Sequence, residues 1–495
     1  MNYMMVLAII MVLGLYLIIG IRAKKKAELS AKHFLSGNKE IPWFVATVSD
    51  RASACSGYWT VGVPGTAFAY GLASIWIGIG CVIPTFINWL LLAKRMKALT
   101  DKYNVLTMTD MFAMRTDDKG LLRTVSAFVI VIFMTAYLSS QIVAQAKVFQ
   151  LVFDVSYNPA LWVSAIFILI YTMVGGYFAV ASVNTIQGFL MLFALFVVPV
   201  VALVSTGFSV VGELAHELDP SIFLPVHGMS PGYSAAWIIG MVIGMALPCF
   251  GQPHIMNSLI VVEDTRKLTI RRCVTLGPAF DIVNCYASVA IGIIALALFS
   301  SVITDPEQSI YYIIEEFFGS FVGGILISGV IAAIMSTAAA MLMVVTRECV
   351  DTIYCRLIKK VTPDDMDQKM LVHLSRWIQV PIVAVAVIYS MQGGSAFGLV
   401  MYAFGGMGAA FTPVLFATLF WRGLTHAGAL SCIIGGTIIY ILWSMFGLSS
   451  YLYGIYQTVP VTIISTLIMV VVSLATKLPK NVEEDFDEMI KSKVA

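Results

Sequence analysis

Apolar residues run in blocks of about 17–25 along the chain, each long enough to cross ~30 Å of hydrocarbon. Short polar stretches separate them. Thirteen transmembrane helices are predicted, at about 3–21, 41–67, 71–92, 124–147, 160–180, 184–205, 233–253, 274–303, 318–345, 375–391, 397–420, 427–446 and 456–475. The pattern is that of an all-α polytopic membrane protein. Runs of this length, so often repeated, exclude a large soluble helical protein with an apolar core.

The basic residues orient the chain. Clusters follow spans 1, 3, 7 and 9, Arg422 lies between spans 11 and 12, and Lys477 and Lys480 follow span 13. The alternate loops, such as "GELAHELDPSIF" and "TDPEQSIYYIIEEF", carry acids and no Lys or Arg. Of 30 basic residues only Lys147, at the outer end of span 4, and Arg51 break the alternation. This puts the N-terminus outside and the C-terminus inside, which requires an odd number of spans. Span 1 does not read as a cleaved signal peptide, because its basic cluster follows the apolar run and no small-residue cleavage site does.

Composition agrees: 59% of the residues are hydrophobic and 12% charged, against roughly 25% charged in soluble domains. None of the eight cysteines falls in an outer loop, so a disulfide framework is not expected, and no C-x-x-C or His-rich spacing marks a metal site. Nucleotide motifs and nucleophile elbows are missing too, which disfavours an enzyme. A net charge of +2 points to no nucleic acid or obligate protein partner, and no cofactor is implied. The lipid bilayer is the one partner that composition dictates.

Two spans look interrupted. Span 2 reads "ASACSGYWTVGVPG", with Pro64 inside the apolar run, and span 7 reads "GMALPCFGQPH", with Pro248 and Pro253. Proline removes a backbone donor and collides with the preceding turn, so both should kink or unwind. Non-helical backbone at membrane depth is tolerated where it lines a cavity or is buried in protein. The two lie five spans apart, as the first helices of two five-helix units of opposite orientation would. Such paired interruptions point to a midplane site in inverted-repeat transporters. In span 9, "ISGVIAAIMSTAAAML", the hydroxyls of Ser336 and Thr337 suit a hard cation that wants oxygen ligands. Read alone, close helix packing and bonding to the helix's own carbonyls is the stronger explanation of that pair.

Together the motifs resemble the sodium:solute symporter family, and within it the bacterial sodium/proline symporter branch. They are "SG" followed by "GVPG" in span 2, "YNVLTMTDMF" after span 3 and "GGYFAVASVNTIQ" entering span 6. "FGQPH" closes span 7, "AAIMST" lies in span 9 and "GGMGAAFTP" in span 11. The resemblance implies a LeuT-like 5+5 inverted repeat in the cytoplasmic (plasma) membrane, taking up a solute by alternating access coupled to Na⁺. The division it suggests is a first helix and basic loop at 1–40, repeats at 41–205 and 206–420, two peripheral helices at 421–480 and a tail at 481–495. The family's cation site falls on the carbonyls of Ala52, Cys55 and Ala333 and the hydroxyls of Ser336 and Thr337, which reverses the packing preference for that pair. Sodium is then the only metal expected. The solute site falls on Ser56, Gly57, Tyr58, Tyr137, Gln141, Met245 and Cys249.

The departures from that branch matter as much. Ala54 and Asn184 stand where the relatives have aspartates. Tyr58, Met245 and Cys249 replace two tryptophans and a tyrosine, and Gln141 and Gln145 replace glycines. Losing those rings removes stacking area suited to a pyrrolidine. The expected solute is therefore amino-acid-like but not tuned for proline, binding through amide hydrogen bonds. His254 in "FGQPH" is expected to cap or buttress span 7, with a proton relay as the lesser reading. Span 11's glycines are expected to serve close packing.

Asp50 and Arg51 lie just inside the span 2 interruption and are the coupling candidates together with Asp281 of span 8. Asp50 is one helical turn, about 5.4 Å, before Ala54, so the carboxylate absent at 54 is in effect moved inward. Arg51 has four possible roles: neutralising Asp50, pairing with Asp281, binding a solute carboxylate, or opposing a bound cation. Adjacent helical residues point in different directions, which favours Asp281 over Asp50 as its partner. An ion-independent or proton-coupled exchanger of the same fold remains the alternative function. A membrane sensor is the remote one, disfavoured because only about twenty residues follow span 13.

Overall fold

With no water in hydrocarbon, each backbone N–H must bond within its own segment, so apolar runs fold as helices. The computed structural model describes residues 3–27, 30–36, 40–226, 234–452, 455–478 and 486. The tail expected at 481–495 lies outside the described residues apart from Phe486, as do 28–29 and 37–39 of the basic loop. Among the described residues, ten helices are long and apolar enough to cross a membrane, or eleven if one bent pair is a single span. The apolar helices are α1 (Tyr3–Ala27), α2 (Trp43–Gly57), α3 (Val63–Tyr70), α4 (Ile75–Ile87), α5 (Leu121–Phe153), α6 (Tyr157–Thr206) and α7 (Ser234–Phe250). They continue with α8 (Pro253–Ile260), α9 (Thr275–Phe299), α10 (Ser320–Arg347), α11 (Gln379–Ser390), α12 (Ala396–Phe420), α13 (His426–Met445) and α14 (Thr458–Ala475). The single pairing of strand type among the described residues is the isolated parallel bridge Ile41–Val262, which ties the start of α2 to the end of α8.

Both interruptions exist, but the prolines do not make them as expected. The first falls at Ser56, whose φ of 43° leaves the helical region, and Pro64 instead opens α3. The second falls at Gly251 and Gln252, where α7 and α8 meet at 56°, and Pro253 opens α8 while Pro248 stays within α7. At a first helical turn proline's missing N–H costs nothing, because that N–H would have no intrahelical acceptor.

Two predicted boundaries are corrected. The spans placed at 160–180 and 184–205 both lie in α6, two helices joined across a kink at Gly176 (φ 55°) and not near 182. Glycine is required there: a Cβ would stand 2.7 Å from the Phe34 ring. The span placed at 124–147 runs on to Phe153. Lys147 does not end it, because its ammonium is neutralised by Asp305 at 2.7 Å and Glu307 at 2.5 Å.

Helix α10 is the central pillar. It packs on α2, α5 and α6, and every residue from Leu326 through Ala339 is buried. Helix α12 packs on α5, α7, α13 and α14, and α8 lies against α2. Fragments α2 and α8 therefore meet each other, and both lie against α10.

Candidate ion and solute site

The break after Cys55 is held by side chains from its surroundings. Ser56 Oγ accepts the Tyr58 N–H at 3.0 Å, and Gln141 Oε1 accepts the Gly57 N–H at 3.0 Å. A serine at this φ is strained by about 1–3 kcal/mol, a cost that persists where surrounding bonds fix the backbone and that gathers at functional sites. The N–H groups are satisfied, and the neighbouring carbonyls accept the hydroxyls of α10. Ser336 Oγ lies 2.8 Å from the Ala52 carbonyl and 2.9 Å from that of Ala333. Thr337 Oγ1 lies 2.7 Å from the Ser53 carbonyl and 3.2 Å from that of Ala333.

Three carbonyl and two hydroxyl oxygens thus converge, all from buried residues, which is the donor set a hard monovalent cation takes. Four of the five expected cation residues meet here. The Cys55 carbonyl accepts the Tyr58 N–H, and the third carbonyl bonded by the α10 hydroxyls is that of Ser53. Asn184, at the position of a family aspartate, donates to Ser53 Oγ at 2.9 Å and braces α2 from α6.

Beside it lies a small cavity of about 30 Å³. Tyr58, Tyr137 and Cys249 line it, with Ala54, Trp59, Ile255, Val400 and Phe404 as further apolar wall. Its polar end is formed by Arg51, Asp281, Thr85 and Asn88. None of Arg51, Tyr58, Tyr137, Asp281 or Phe404 is more than 7% exposed, so these walls are deeply buried. The Phe397 ring stacks on Tyr58 at 5.7 Å and closes one side.

The remaining expected solute residues stand behind the wall. Ser56 and Gly57 form the break. Gln141 spends its amide on Gly57 and on Ser140 Oγ, so it offers the solute no free amide. Met245 is fully buried at the contact of α7 with α4, where its Cβ would lie 2.6 Å from a Cβ at Gly80. His254 makes no side-chain cap: neither ring nitrogen has a partner, and the ring packs edge-on to Tyr137 at 6.0 Å. It buttresses by packing alone.

The polar end answers the question raised by Asp50 and Arg51. Arg51 donates to Asp50 Oδ2 from Nε at 3.0 Å and from Nη2 at 2.7 Å. Its Nη1 reaches Thr85 Oγ1 at 2.6 Å and Asp281 Oδ2 at 2.8 Å. Thr85 Oγ1 in turn donates to the same Asp281 oxygen at 2.5 Å. The expected preference for Asp281 over Asp50 is corrected: Arg51 holds both, because its long side chain folds back and presents its planar fork to two acceptors at once.

Thr85, Asn88 and Cys81 escaped the sequence reading. They recur at i, i+4 and i+7 in "CVIPTFINWL", the signature of one helix face, and that face was the available signal. Cys55 turns its thiol toward Asp281 Oδ1 at 3.6 Å and accepts from Asn284 Nδ2 at 3.0 Å. All eight cysteines are free thiols.

A bundle of apolar helices, two of them interrupted beside a buried cavity, fits a multi-pass membrane transporter. Comparison with known proteins agrees. A family profile described as "Sodium:solute symporter family" matches residues 34–436. The chain is 32% identical over 456 residues to the sodium/proline symporter of Escherichia coli (strain K12), covering 90% of this chain and 88% of that protein. It is also 32% identical over 485 residues to the osmoregulated proline transporter OpuE of Bacillus subtilis (strain 168), covering 96% of each. Its fold is similar to that of a Na⁺-coupled sialic acid symporter in a substrate-bound outward-open state. There the TM-score is 0.77 at 16% identity, over 96% of this chain and 98% of that one. The chain belongs to the sodium:solute symporter family. It is a transporter and not an enzyme.

Proposed function

We propose that this protein takes up a small, amino-acid-like solute by alternating access, driven by Na⁺ bound between α2 and α10. The observation that carries the reading is the convergence of the Ala52, Ser53 and Ala333 carbonyls with the Ser336 and Thr337 hydroxyls beside the break. A site shared by a broken helix and a pillar helix changes when the two part, which is how an ion's binding energy is linked to opening. Arg51 need not oppose the cation, since two carboxylates compensate its charge. The cavity's mixture of aromatic wall and charged end suits a small polar solute better than a pyrrolidine. In this reading the chain crosses the membrane thirteen times with the N-terminus outside, the breaks at Gly71 and Gly176 separating neighbouring spans. Spans 2–6 and 7–11 form the two inverted repeats, in the cytoplasmic membrane.

The test is binding of ²²Na⁺ to purified protein, with choline as the control ion. Saturable binding lost in Thr337→Ala supports the reading, and no saturable binding sinks it. One observation favours proton coupling as a second reading. Asp50 and Asp281 face a single guanidinium in a buried cluster, and a proton on one of them would remove the excess negative charge. Solute uptake driven by a pH gradient in Na⁺-free medium separates the two.

A further inference from the structure

The cluster at the polar end of the cavity has more acceptor capacity than it uses. Arg51 carries five N–H bonds, and four are engaged: two with Asp50, one with Thr85 and one with Asp281. It therefore has no fork left for a solute carboxylate unless an existing pair breaks. Two carboxylates face one guanidinium, so the ionised cluster holds one negative charge in excess. Within it, Asp281 reaches the cavity wall. Its Oδ2 is saturated by Arg51 and Thr85, whereas Oδ1 faces the Cys55 thiol at 3.6 Å, a weak donor. Asp281 is 2% exposed, and although Arg51 and Thr85 compensate its Oδ2, its buried Oδ1 is left with only a weak donor.

We infer that Asp281 is the receptor for a protonated amino group on the transported solute, with Arg51 and Thr85 as the groups that position it. The inference rests on the transporter reading above and names the class of solute: an organic ammonium with N–H donors. An N⁺–H···O⁻ bond to Oδ1 is of the charge-assisted kind that is both short and strong. The aromatic walls of Tyr58, Trp59, Tyr137 and Phe404 present ring surface to the cationic head and to an apolar body. A sodium ion fits this end poorly, because Cys81 and Cys249 also line the cavity and Na⁺ takes oxygen ligands. The ion and the amine thus have separate places: oxygens between α2 and α10 for one, the α9 carboxylate for the other. The arrangement also accounts for Ala54, since a carboxylate supplied from α9 at the same cavity makes one at 54 unnecessary.

The experiment is thermal stabilisation of the purified full-length protein in detergent at fixed Na⁺. The probes are the twenty amino acids, each with its N-acetyl derivative and its decarboxylated amine. At least one amino acid should stabilise the protein, its amine should retain part of the effect and its N-acetyl derivative should lose it. For that amino acid, Asp281→Asn should weaken apparent affinity at least tenfold, Asp281→Glu less, and Asp50→Asn, which leaves the cavity carboxylate in place, least. Should Asp281→Asn not fold, Thr85→Val serves: it removes one positioning bond and should cost several-fold in affinity for the amino acid. The inference is overturned if an N-acetyl derivative binds as well as its parent, if Asp281→Asn or Thr85→Val binds the amino acid undiminished, or if no amino-bearing probe stabilises the protein. Stabilisation by Na⁺ alone that vanishes in Asp281→Asn, without any contrast between amines and their acetylated forms, also overturns it. Equilibrium binding needs no gradient, so a failure of Na⁺-driven transport would leave this result standing.

Discussion

Replacing Arg51 with methionine should be among the most damaging single changes to this protein. The substitution keeps a long side chain but removes a guanidinium that bonds Asp50 twice and Asp281 and Thr85 once each. With charge centres about 4 Å apart, each ion pair contributes about 4 kcal/mol at an effective dielectric of 20. Burial takes several kcal/mol per ion back, and what a deletion measures is the penalty of stranding the partners, about 3–5 kcal/mol for a buried pair. The expected loss is therefore about 3–5 kcal/mol, read as unfolding free energy by denaturant titration in detergent. The double variant Arg51→Met/Asp281→Asn should recover more than about 1 kcal/mol of it, because one stranded charge is gone, and the coupling is visible in a double-mutant cycle. A loss below about 1 kcal/mol for the single change, or additivity in the cycle, would refute the idea that Arg51 binds the two carboxylates into one unit.

Three further outcomes are expected. Thr337→Ala should weaken ²²Na⁺ binding far more than Thr346→Ala, since Thr346 is equally buried on α10 but its hydroxyl touches no partner; equal effects would return Ser336 and Thr337 to helix packing. Cys249, on the cavity wall, should be protected from a thiol reagent by any transported amino acid, and Cys55, whose thiol faces Asp281, should follow it; labelling unchanged by any of the twenty would misplace the pocket. Asp118→Ala should cost about 1 kcal/mol at pH 7, because Asp118 caps α5 through the Leu122 and Arg123 N–H groups. Burial opposes its charge, but those N–H groups and His426 hold its pKa below the usual carboxylate range. The stabilisation is therefore present above about pH 4 and lost as pH falls through the lower folded value, so wild type and variant should converge once the pH is below it.

Much of this was legible in the sequence, and the rest was hidden for physical reasons. Hydrophobic runs located the helices, because hydrocarbon forces every apolar segment into one backbone form. The interruptions were legible as regions but not as residues: proline announced them, yet Ser56 and Gly251 carry the bends and the prolines start the next helices. Gly176 was missed because a glycine in an apolar run looks like any packing glycine until Phe34 is seen against it. Ser336 and Thr337 were singled out through the resemblance, and their bond to the Ser53 carbonyl could be seen only in coordinates, because it depends on how α2 and α10 pack. Arg51 was recognised as costly and Asp281 was named as its partner, but Thr85, and the hold on both carboxylates at once, needed coordinates. Gln141, expected to face the solute, is instead part of the break's scaffold.

The measurement that tests the account most directly is uptake of a ¹⁴C-labelled amino-acid mixture into proteoliposomes of the purified protein. An inward Na⁺ gradient should be compared with choline at the same pH. The account predicts label accumulating above its external concentration with Na⁺, and only slow equilibration in choline. Equal uptake in the two media would contradict sodium coupling.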